Sequence, residues 1–356
     1  MDLKNVQEIY GLSPLQESVI RDCIDARKSG LHYNQFIYDL HGDLDVFTLE
    51  KAWQLIVEHH PVLRTFFIWQ RLEKPLQVVR KQLKVSLEIY DWRHLSATEQ
   101  ETGFQGMLSD IRDLEFSEIP FVQLSVFQTG VSVCKLVLNY HRLVLDNASV
   151  SLVLNQLLSC YEDLRQSREP LLEQSLSYKD YINWVEGQDV SKTKSFFSTL
   201  LSDLRVLTLL GVQRVESGLV SRRQGYAEQQ LSIPAAMTLE LLSFVNKHEL
   251  SLSTVVQSVW SLLLSRYSGE EEVVFGCNVS GRPVDLDGSN SMVGSFANTL
   301  PTRVRITPNA SVLSWLQELH TQQLDIEQYA YSSRSQIQEW SQLPEDVFLF
   351  ESNVVW

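Results

Sequence analysis

The segment with the clearest chemical content runs from residue 141 to residue 147 and reads HRLVLDN. It places the imidazole of His141, the guanidinium of Arg142 and the carboxylate of Asp146 in one short stretch. An imidazole can accept and return a proton near neutral pH, whereas a guanidinium has five donors, no acceptor and a proton that it keeps. Proton transfer could therefore rest on His141, and Arg142 could stabilise negative charge.

A strand must lead into this segment and a helix must follow it. Residues 132–140 read SVCKLVLNY, a β-rich run that predicts a strand. From Ser149 to Leu164 the apolar residues return at helical spacing, which predicts a helix. Asp146 and Asn147 stand just before that helix and offer N-cap side chains. We therefore expect the chemical residues to lie in a turn between a strand and a helix.

The rest of the first half alternates in the same way and predicts a mixed α/β lobe. Helical patterns cover residues 47–60 and 99–111, and β-rich patterns cover 34–40, 63–69, 76–81, 85–92 and 121–128. The polar stretch RQSREP at 165–170 then interrupts the pattern. We place the boundary there, with an N-terminal lobe over 1–170 that carries the histidine segment and a C-terminal lobe over 171–356.

The second half repeats the alternation of helices and strands. Helices are predicted over Tyr178–Val185, Lys194–Leu204, 236–247, 252–267 and Val312–Glu327. Strands are predicted over 226–233, 271–277, 298–306 and 347–356, with a loop rich in Gly, Ser and Asp at 280–291.

Length and charge narrow the classes of function. The 356 residues are 44% apolar and exceed what one core usually organises, which also favours two lobes. A formal charge of −14 opposes binding to phosphate backbones or anionic lipid. No apolar stretch reaches membrane-spanning length, and the first residues lack a signal-peptide pattern. We expect no nucleic-acid partner and no membrane association.

The remaining histidines and cysteines form no metal-ligand pattern. His59 and His60 are adjacent, but they stand at a predicted helix end without carboxylate or cysteine partners at ligand spacing. The four cysteines are far apart and lack CxxC spacing: Cys23, Cys134, Cys160 and Cys277. We expect no metal, no bound cofactor and no disulfide framework, and the unpaired thiols fit the reducing cytoplasm.

Several segments resemble, in their order, the signature motifs of condensation domains from nonribosomal peptide synthetases. These segments are YGLSPLQESVI at 10–20, HHPVLRTFF at 59–67, SYKDYINW at 177–184, SRYSGEEEVVFG at 265–276, VSGRPVDLDGSNSMVGSFANTLPTRVRI at 279–306, QQLDIEQYAYSSRSQIQEWS at 322–341 and LFESNVVW at 349–356. The resemblance covers essentially the whole chain.

The resemblance implies an α/β fold with mixed sheets, built as two lobes like chloramphenicol acetyltransferase in a V-shaped arrangement. It places the reaction centre between the lobes, where phosphopantetheine arms of carrier proteins enter from either side. The family joins a carrier-bound acyl or peptidyl donor to a carrier-bound amino acid by forming an amide bond. It also continues beyond the LFESNVVW segment, so we expect an incomplete second lobe and a complementing polypeptide as one partner.

The central motif of the family is HHxxxDG, and this chain departs from it at two positions. Arg142 stands where the second histidine is expected, and Asn147 replaces the glycine. The resemblance assigns the catalytic positions to His141, Arg142 and Asp146. Because Arg142 cannot act as a general base, we expect weak or absent amide formation. For His141 we favour the alternative of a strand-end histidine that is hydrogen-bonded for structural reasons.

The resemblance further implies that Asp146 shapes the loop through a salt bridge, and Arg282 in the SGRP segment is the expected partner. An N-cap role for Asp146 is the alternative, and the two roles are compatible. A side chain at Asn147 is expected to crowd a backbone position that the family keeps as glycine, although Asn tolerates positive φ best among the other residues.

The same motifs supply one further structural residue and the residues expected to bind substrate. Arg64 in HPVLRT is expected to anchor the fold through a carboxylate. Asn147, Ser295 and Asn298 are expected to contact substrate, the last two because VGSFANTLP resembles the segment that lines the tunnel between the lobes.

Three hypotheses about function stay open. The first is an acyltransferase that uses Arg142 in an unorthodox way. The second is a noncatalytic module that recruits carrier proteins or tailoring enzymes, because His141, Arg142 and Asp146 resemble the HRxxxD pattern of X-domains. The third is a decayed synthetase fragment, which would fold marginally.

Overall fold

The computed structural model describes residues 3–25, 32–113, 121–174, 176–204, 208, 228–341, 343–344 and 347–356. The chain divides into two compact units. Unit 1 contains residues 1–189, 281–297 and 331–335, and unit 2 contains residues 190–280, 298–330 and 336–356. The predicted lobe boundary at 170 stays a prediction.

The elements before residue 190 follow the predicted alternation. In chain order they are β1 (Val6–Tyr10), α1 (Pro14–Asp25), β2 (Tyr33–His41), α2 (Val46–His59), β3 (Thr65–Ile68), β4 (Leu76–Arg80), β5 (Glu88–Asp91), α3 (Ala97–Asp113), β6 (Val122–Gln128), β7 (Val133–His141), α4 (Asn147–Arg165) and α5 (Tyr178–Glu186).

A four-stranded sheet in unit 1 carries the histidine segment. Its strands lie in the order β2-β7-β6-β5; β7 is antiparallel to β2 and β6, and β5 is parallel to β6. Alternate residues of β7, Leu136 and Leu138, join α2 and α4 in one core, while Val137 between them packs with Phe104 of α3. Because successive strand residues point to opposite faces, helices cover both faces of β7. The end of β7 is thereby fixed.

A second sheet in unit 1 has three antiparallel strands in the order β1-β4-β3. Its central strand β4 is buried at Gln77, Val78 and Val79. The sheet lies beside the C-terminal end of α2, because a short 3-10 turn, Pro61–Arg64, connects α2 directly to β3.

The elements after residue 189 are α6 (Val190–Leu200), α7 (Ala235–Lys247), α8 (Leu252–Ser268), β8 (Glu272–Val279), β9 (Asn298–Arg305), α9 (Val312–Glu327), α10 (Arg334–Trp340) and β10 (Asn353–Val354). In unit 2 the sheet order is β10-β8-β9, with β10 parallel and β9 antiparallel to β8. Leu264 of α8 and Leu319 of α9 pack against Phe275 of β8.

Two predicted strands are wrong. Residues 226–227 of the first lie outside the described part of the chain, and residues 228–233 have no regular structure. At 347–356 only Asn353 and Val354 form a strand, although Leu349 is fully buried. Phe348, Val355 and Trp356 are exposed, so the apolar composition of the segment does not correspond to a strand that is buried along its length.

Candidate functional site

The histidine segment forms the turn between β7 and α4, as the sequence predicted. His141 is the last residue of β7, and the N–H of Val144 bonds to the carbonyl of His141 at 2.9 Å to close a tight turn. Asp146 is the N-cap of α4, and its carboxylate Oδ1 accepts the N–H of Ser149 at 2.7 Å. The capping carboxylate satisfies a backbone donor that the helix itself cannot.

His141 is fully buried, and both ring nitrogens face protein atoms. Nδ1 accepts the N–H of Leu143 at 3.1 Å, and Nε2 lies 3.8 Å from Sγ of Cys23. Because Nδ1 is an acceptor, the neutral ring carries its proton on Nε2 and directs it toward the sulfur. Burial raises the pKa of the Cys23 thiol to about 12, so the sulfur remains a thiol. These contacts fit a structural role for the ring.

Arg142 lies in the same turn, and its guanidinium forms a hydrogen bond with a backbone carbonyl of this chain. Nη2 donates to the carbonyl of Ala297 at 3.1 Å. Burial lowers the pKa of Arg142, and the nearby carboxylate of Asp146 opposes that shift. The guanidinium nevertheless stays charged near neutral pH, because its ordinary pKa is far above 7. It can donate hydrogen bonds but cannot remove a proton from an amine.

Asp146 joins the turn to the segment 294–297. Its Oδ2 accepts the N–H of Phe296 at 3.0 Å and the N–H of Ala297 at 3.1 Å, and its own N–H donates to the carbonyl of Gly294 at 3.0 Å. Ser149 adds a hydroxyl bond to the carbonyl of Gly294 at 2.7 Å. One carboxylate therefore serves as a helix cap and as the acceptor for a distant loop.

Arg282 is the ion-pair partner expected for Asp146. Its Nη2 lies 3.6 Å from Oδ1 of Asp146, and both side chains are almost completely buried. Nη1 donates to the carbonyls of Ser289 at 2.6 Å and Met292 at 2.8 Å, and the guanidinium lies 4.3 Å from the centre of the Phe296 ring. Burial lowers the pKa of Arg282, and Asp146 counteracts this. The pair therefore orders the whole 281–297 segment.

Gly281, just before Arg282, has to be glycine. Its φ is +67°, and a Cβ there would stand 1.8 Å from the carbonyl oxygen of Phe296. No L side chain fits at that distance. In the SGRP segment, Gly281 thus permits the close approach of the Phe296 backbone, and Arg282 binds Asp146 and the carbonyls of the same loop.

Gln16 is also part of this site and was not among the residues predicted for it. Its Nε2 donates to the carbonyl of Leu143 at 2.8 Å and so holds the turn from the side of α1. Gln16 also forms a capping box with Ser13, in which each side chain bonds the other's backbone N–H. The Ser13-Pro14-Leu15-Gln16 spacing was the available signal for the start of α1.

Asn147 differs from the expectation. Its φ is not positive, because it is the first residue of α4 and Asp146 before it is extended. Asn147 is exposed, and its Oδ1 accepts a hydrogen bond from the Tyr140 hydroxyl at 2.6 Å. The helical start of α4 accommodates an asparagine, so no left-handed backbone is required here.

Ser295 and Asn298 lie in different units. The carbonyl of Ser295 accepts the Tyr178 hydroxyl at 2.8 Å in unit 1, whereas the Ser295 hydroxyl is buried without a hydrogen-bond partner in the described part of the chain. In unit 2, Nδ2 of Asn298 donates to the carbonyl of Ala330 at 2.8 Å and Oδ1 accepts the N–H of Thr299 at 2.8 Å. Their contact with substrate stays a prediction.

The guanidinium of Arg64 donates to backbone carbonyls and to the side-chain oxygen of Gln7 at 3.0 Å, and not to the predicted carboxylate. Nε donates to Val57 at 2.9 Å and Nη2 to Glu58 at 3.1 Å, both in the last turn of α2. Nη1 donates to the carbonyls of Arg80 and Lys81 at the end of β4 and just after it. The carbonyls of a helix C-terminus lack partners within the helix, and a buried guanidinium satisfies several of them together.

The described part of the chain holds no group of three His, Cys, Asp or Glu side chains arranged to bind a metal ion. His60 is buried and its Nε2 pairs with Oε1 of Gln156 at 2.5 Å, while His59 Nε2 lies 3.0 Å from the carbonyl of Glu173. One nitrogen of each ring is therefore already in contact with an oxygen atom of this chain. Among the same described residues, no helix has the length and apolar character needed to cross a membrane.

Comparison with known families matches residues 6–356 to the family described as "Condensation domain". A linear gramicidin synthase of Brevibacillus parabrevis is 40% identical over 355 residues, which is 99% of this chain and 7% of that protein. Tyrocidine synthase 3 of the same organism is 28% identical over 97% of this chain and 5% of its own length. The chain thus spans a small part of the relatives that it matches.

Two solved structures share the fold. The first condensation domain of the calcium-dependent antibiotic synthetase superposes with a TM-score of 0.77 at 18% identity, over 98% of this chain and 80% of that one. The X-domain from teicoplanin biosynthesis superposes with a TM-score of 0.75 at 21% identity, over 98% and 77% of the two chains. At these identities the likeness establishes the architecture alone.

Proposed function

This chain belongs to the condensation-domain family, and on that premise we propose that it is a condensation-like domain of nonribosomal peptide assembly with weak or absent turnover. The scaffold of the motif turn is complete, whereas the position of its second histidine holds Arg142. The domain would bind carrier-linked substrates and contribute little to amide formation.

The observation that carries this proposal is the hydrogen bond from Arg142 Nη2 to the carbonyl of Ala297. A guanidinium at this position has no acceptor for the proton of an attacking amine. One of its donors, Nη2, is also already bonded to a backbone carbonyl of this chain. His141 next to it is fully buried, so it offers no accessible ring nitrogen in this conformation.

Residual acceleration has a physical basis that does not need Arg142. Two substrates held by tethered arms react faster because binding replaces a bimolecular encounter with a fixed arrangement. A fixed positive charge could also stabilise a developing oxyanion. We therefore expect slow product formation at most, rather than a rate typical of the family.

The partners we propose are peptidyl or acyl carrier proteins that present their substrates on phosphopantetheine arms, and neighbouring synthetase modules. The four cysteines are buried and unpaired, which supports placing the chain in the reducing cytoplasm.

A second candidate function is recruitment of a carrier protein or a tailoring enzyme without catalysis. The feature that favours it is the HRxxxD pattern formed by His141, Arg142 and Asp146. Arg142 then serves the architecture of the turn, and the protein acts through binding. This candidate predicts a stable complex and no product from the wild type.

Dipeptide formation on paired aminoacyl carrier proteins tests the proposal. We would compare the wild type with Arg142→His, and use Arg168→His as the matched control because Arg168 is exposed just after α4 and bonds to Asp163. All three chains must first show a cooperative melt. We expect product from Arg142→His well above that of the wild type and of the control.

The outcomes separate the hypotheses. A wild type that forms product at the rate of Arg142→His contradicts the proposal and makes Arg142 compatible with catalysis. If no chain forms product but all bind carrier proteins tightly, the result favours recruitment. If no chain forms product or binds carrier proteins, or if the wild type melts over a broad temperature range, the result favours a decayed fragment.

A further inference from the structure

The outer edge of β2 is open over most of its length. Pairing with β7 places 32 opposite 142 and 42 opposite 132, and both pairs are hydrogen-bonded. Even-numbered residues of β2 therefore bond to β7, and odd-numbered residues point their backbone groups outward. Within the described residues, nothing bonds the outward N–H and C=O groups of Gln35, Ile37, Asp39 and His41.

The outer edge of β9, in unit 2, differs because side chains bond to several of its outward backbone groups. Trp315 Nε1 donates to the carbonyl of Arg305 at 3.0 Å, and Gln322 Nε2 donates to the carbonyl of Arg303 at 2.9 Å. The N–H of Thr299 bonds to Asn298 Oδ1, and Pro301 has no N–H to offer. Side chains and a proline protect a strand edge from pairing with another chain. β2 carries no comparable protection at those four residues.

The side chains of β2 are also unusual for a free edge. Phe36, Ile37 and Tyr38 are 38%, 39% and 42% exposed in the middle of the strand. Lys135 on the neighbouring strand is paired with Asp39 at 2.6 Å, so its charge is balanced. α3 contacts β2, yet these three apolar side chains remain exposed. An exposed apolar strand with open backbone groups is a template for strand addition.

We propose that β2 pairs with β2 of a second copy of this chain, antiparallel and in the register that places Ile37 opposite Ile37. In this register the outward-pointing residues face one another: 33 with 41, 35 with 39 and 37 with 37. The two four-stranded sheets then form one continuous sheet across a twofold axis.

The register is self-complementary in its side chains. Phe36 of one copy lies opposite Tyr38 of the other, in a pair without direct backbone bonds, where side chains approach most closely. Gln35 lies opposite Asp39, so no like charges face each other. A twofold pairing of this kind closes on itself and forms a dimer rather than a fibre. These matches favour a second copy over an unrelated strand as the occupant.

Sedimentation velocity over a concentration series tests the pairing with two charge variants. Ile37→Lys and Ile37→Glu each place two like charges across the axis, and each should raise the dimer dissociation constant by about tenfold or more. An equal mixture of the two variants places opposite charges across the axis and should restore dimers. Ile89→Lys is the matched control, because Ile89 is 52% exposed on β5 at the other edge of the same sheet.

The register is tested by cross-linking. Oxidation of a mixture of Phe36→Cys and Tyr38→Cys chains should give a covalent dimer, and either variant alone should give much less, because 36 faces 38 and not itself. The native cysteines are buried and do not compete. A wild type that stays monomeric at every concentration, or a dimer that Ile37→Lys does not weaken, overturns the proposal.

Discussion

The two ends of the motif turn differ in how firmly the structure holds them. At the acidic end, Asp146 accepts three backbone N–H groups and pairs with Arg282. At the basic end, the side chain of Arg142 makes one hydrogen bond within the described residues, to the carbonyl of Ala297. The Asp146 side chain is the centre of a network, whereas the Arg142 side chain has this one hydrogen bond.

This difference separates the scaffold of the site from its chemistry. A carboxylate that caps a helix and orders a loop is needed for folding whether or not the domain catalyses a reaction. A residue that only supplies chemistry can change at little structural cost. The fold can therefore retain its family architecture while the position of the second histidine holds arginine.

Removing the acidic end should have the largest effect. Asp146→Ala leaves the buried Arg282 without its counter-ion and three N–H groups without an acceptor, and we expect the free energy of unfolding to fall by about 3–5 kcal/mol. Urea titration measures the loss. Asp285→Ala is the control, because Asp285 is exposed in the same segment and should change stability by less than about 0.5 kcal/mol. A loss below about 1 kcal/mol for Asp146→Ala would contradict the built network.

A double-mutant cycle sharpens the same point. Asp146→Asn and Arg282→Met each leave one buried charge without its counter-ion, so the two losses should not add. We expect the double variant to be about 2–3 kcal/mol more stable than the sum predicts. The same cycle between Arg142→Met and Asp146→Asn should give a much smaller coupling. Equal couplings would mean that the two ends are one network.

Acid should destabilise the protein through His60, which lies outside the motif turn at 141–147. Burial lowers the pKa of His60 from its ordinary 6.5 to about 4, with Gln156 opposing the shift. The folded state therefore binds the proton less readily than the unfolded state, so the stabilisation is present above pH 6.5 and is lost as pH falls toward 4. We expect about 2 kcal/mol less stability at pH 5 than at pH 7.

Chemical denaturation at the two pH values measures this loss, and His60→Gln should abolish most of the slope. His248→Gln is the matched control, because His248 follows α7 outside this core and has no buried polar partner of this kind among the described residues. An unchanged slope in His60→Gln would assign the acid sensitivity to other groups.

Changing the basic end should have the smallest effect on stability. Arg142→His removes one hydrogen bond to Ala297, and we expect a loss of about 1 kcal/mol or less because the released carbonyl belongs to a segment that Asp146 still holds. Thermal melts of the two chains at equal concentration measure it. A loss as large as that of Asp146→Ala would mean that Arg142 is a required part of the fold.

Much of the secondary structure follows from local pattern. The turn at 141–147, the cap at Asp146 and the helix over Val312–Glu327 were all predicted from apolar spacing and capping residues, and the structure confirms them. The family and its α/β fold are also confirmed by the match over residues 6–356. These features depend on neighbours a few residues apart, which a sequence displays directly.

Contacts between distant residues were predicted less well. The bond from Arg142 to Ala297 spans 155 positions, and nothing in either local sequence indicates it. The carbonyl partners of Arg64 were missed for a related reason, because backbone acceptors have no residue type that a sequence could reveal. The Asp146 and Arg282 pair was the exception, since a family motif supplied both positions.

The single guanidinium of Arg64 has a consequence for local unfolding. It bonds the last turn of α2 and the residues that follow β4, so these two segments cannot open independently without leaving buried carbonyls unpaired. Amide hydrogens in the two segments should therefore exchange with solvent deuterium at one common opening free energy. Arg64 thus makes a cooperative unit of a helix end and a strand that lie about twenty residues apart in the chain.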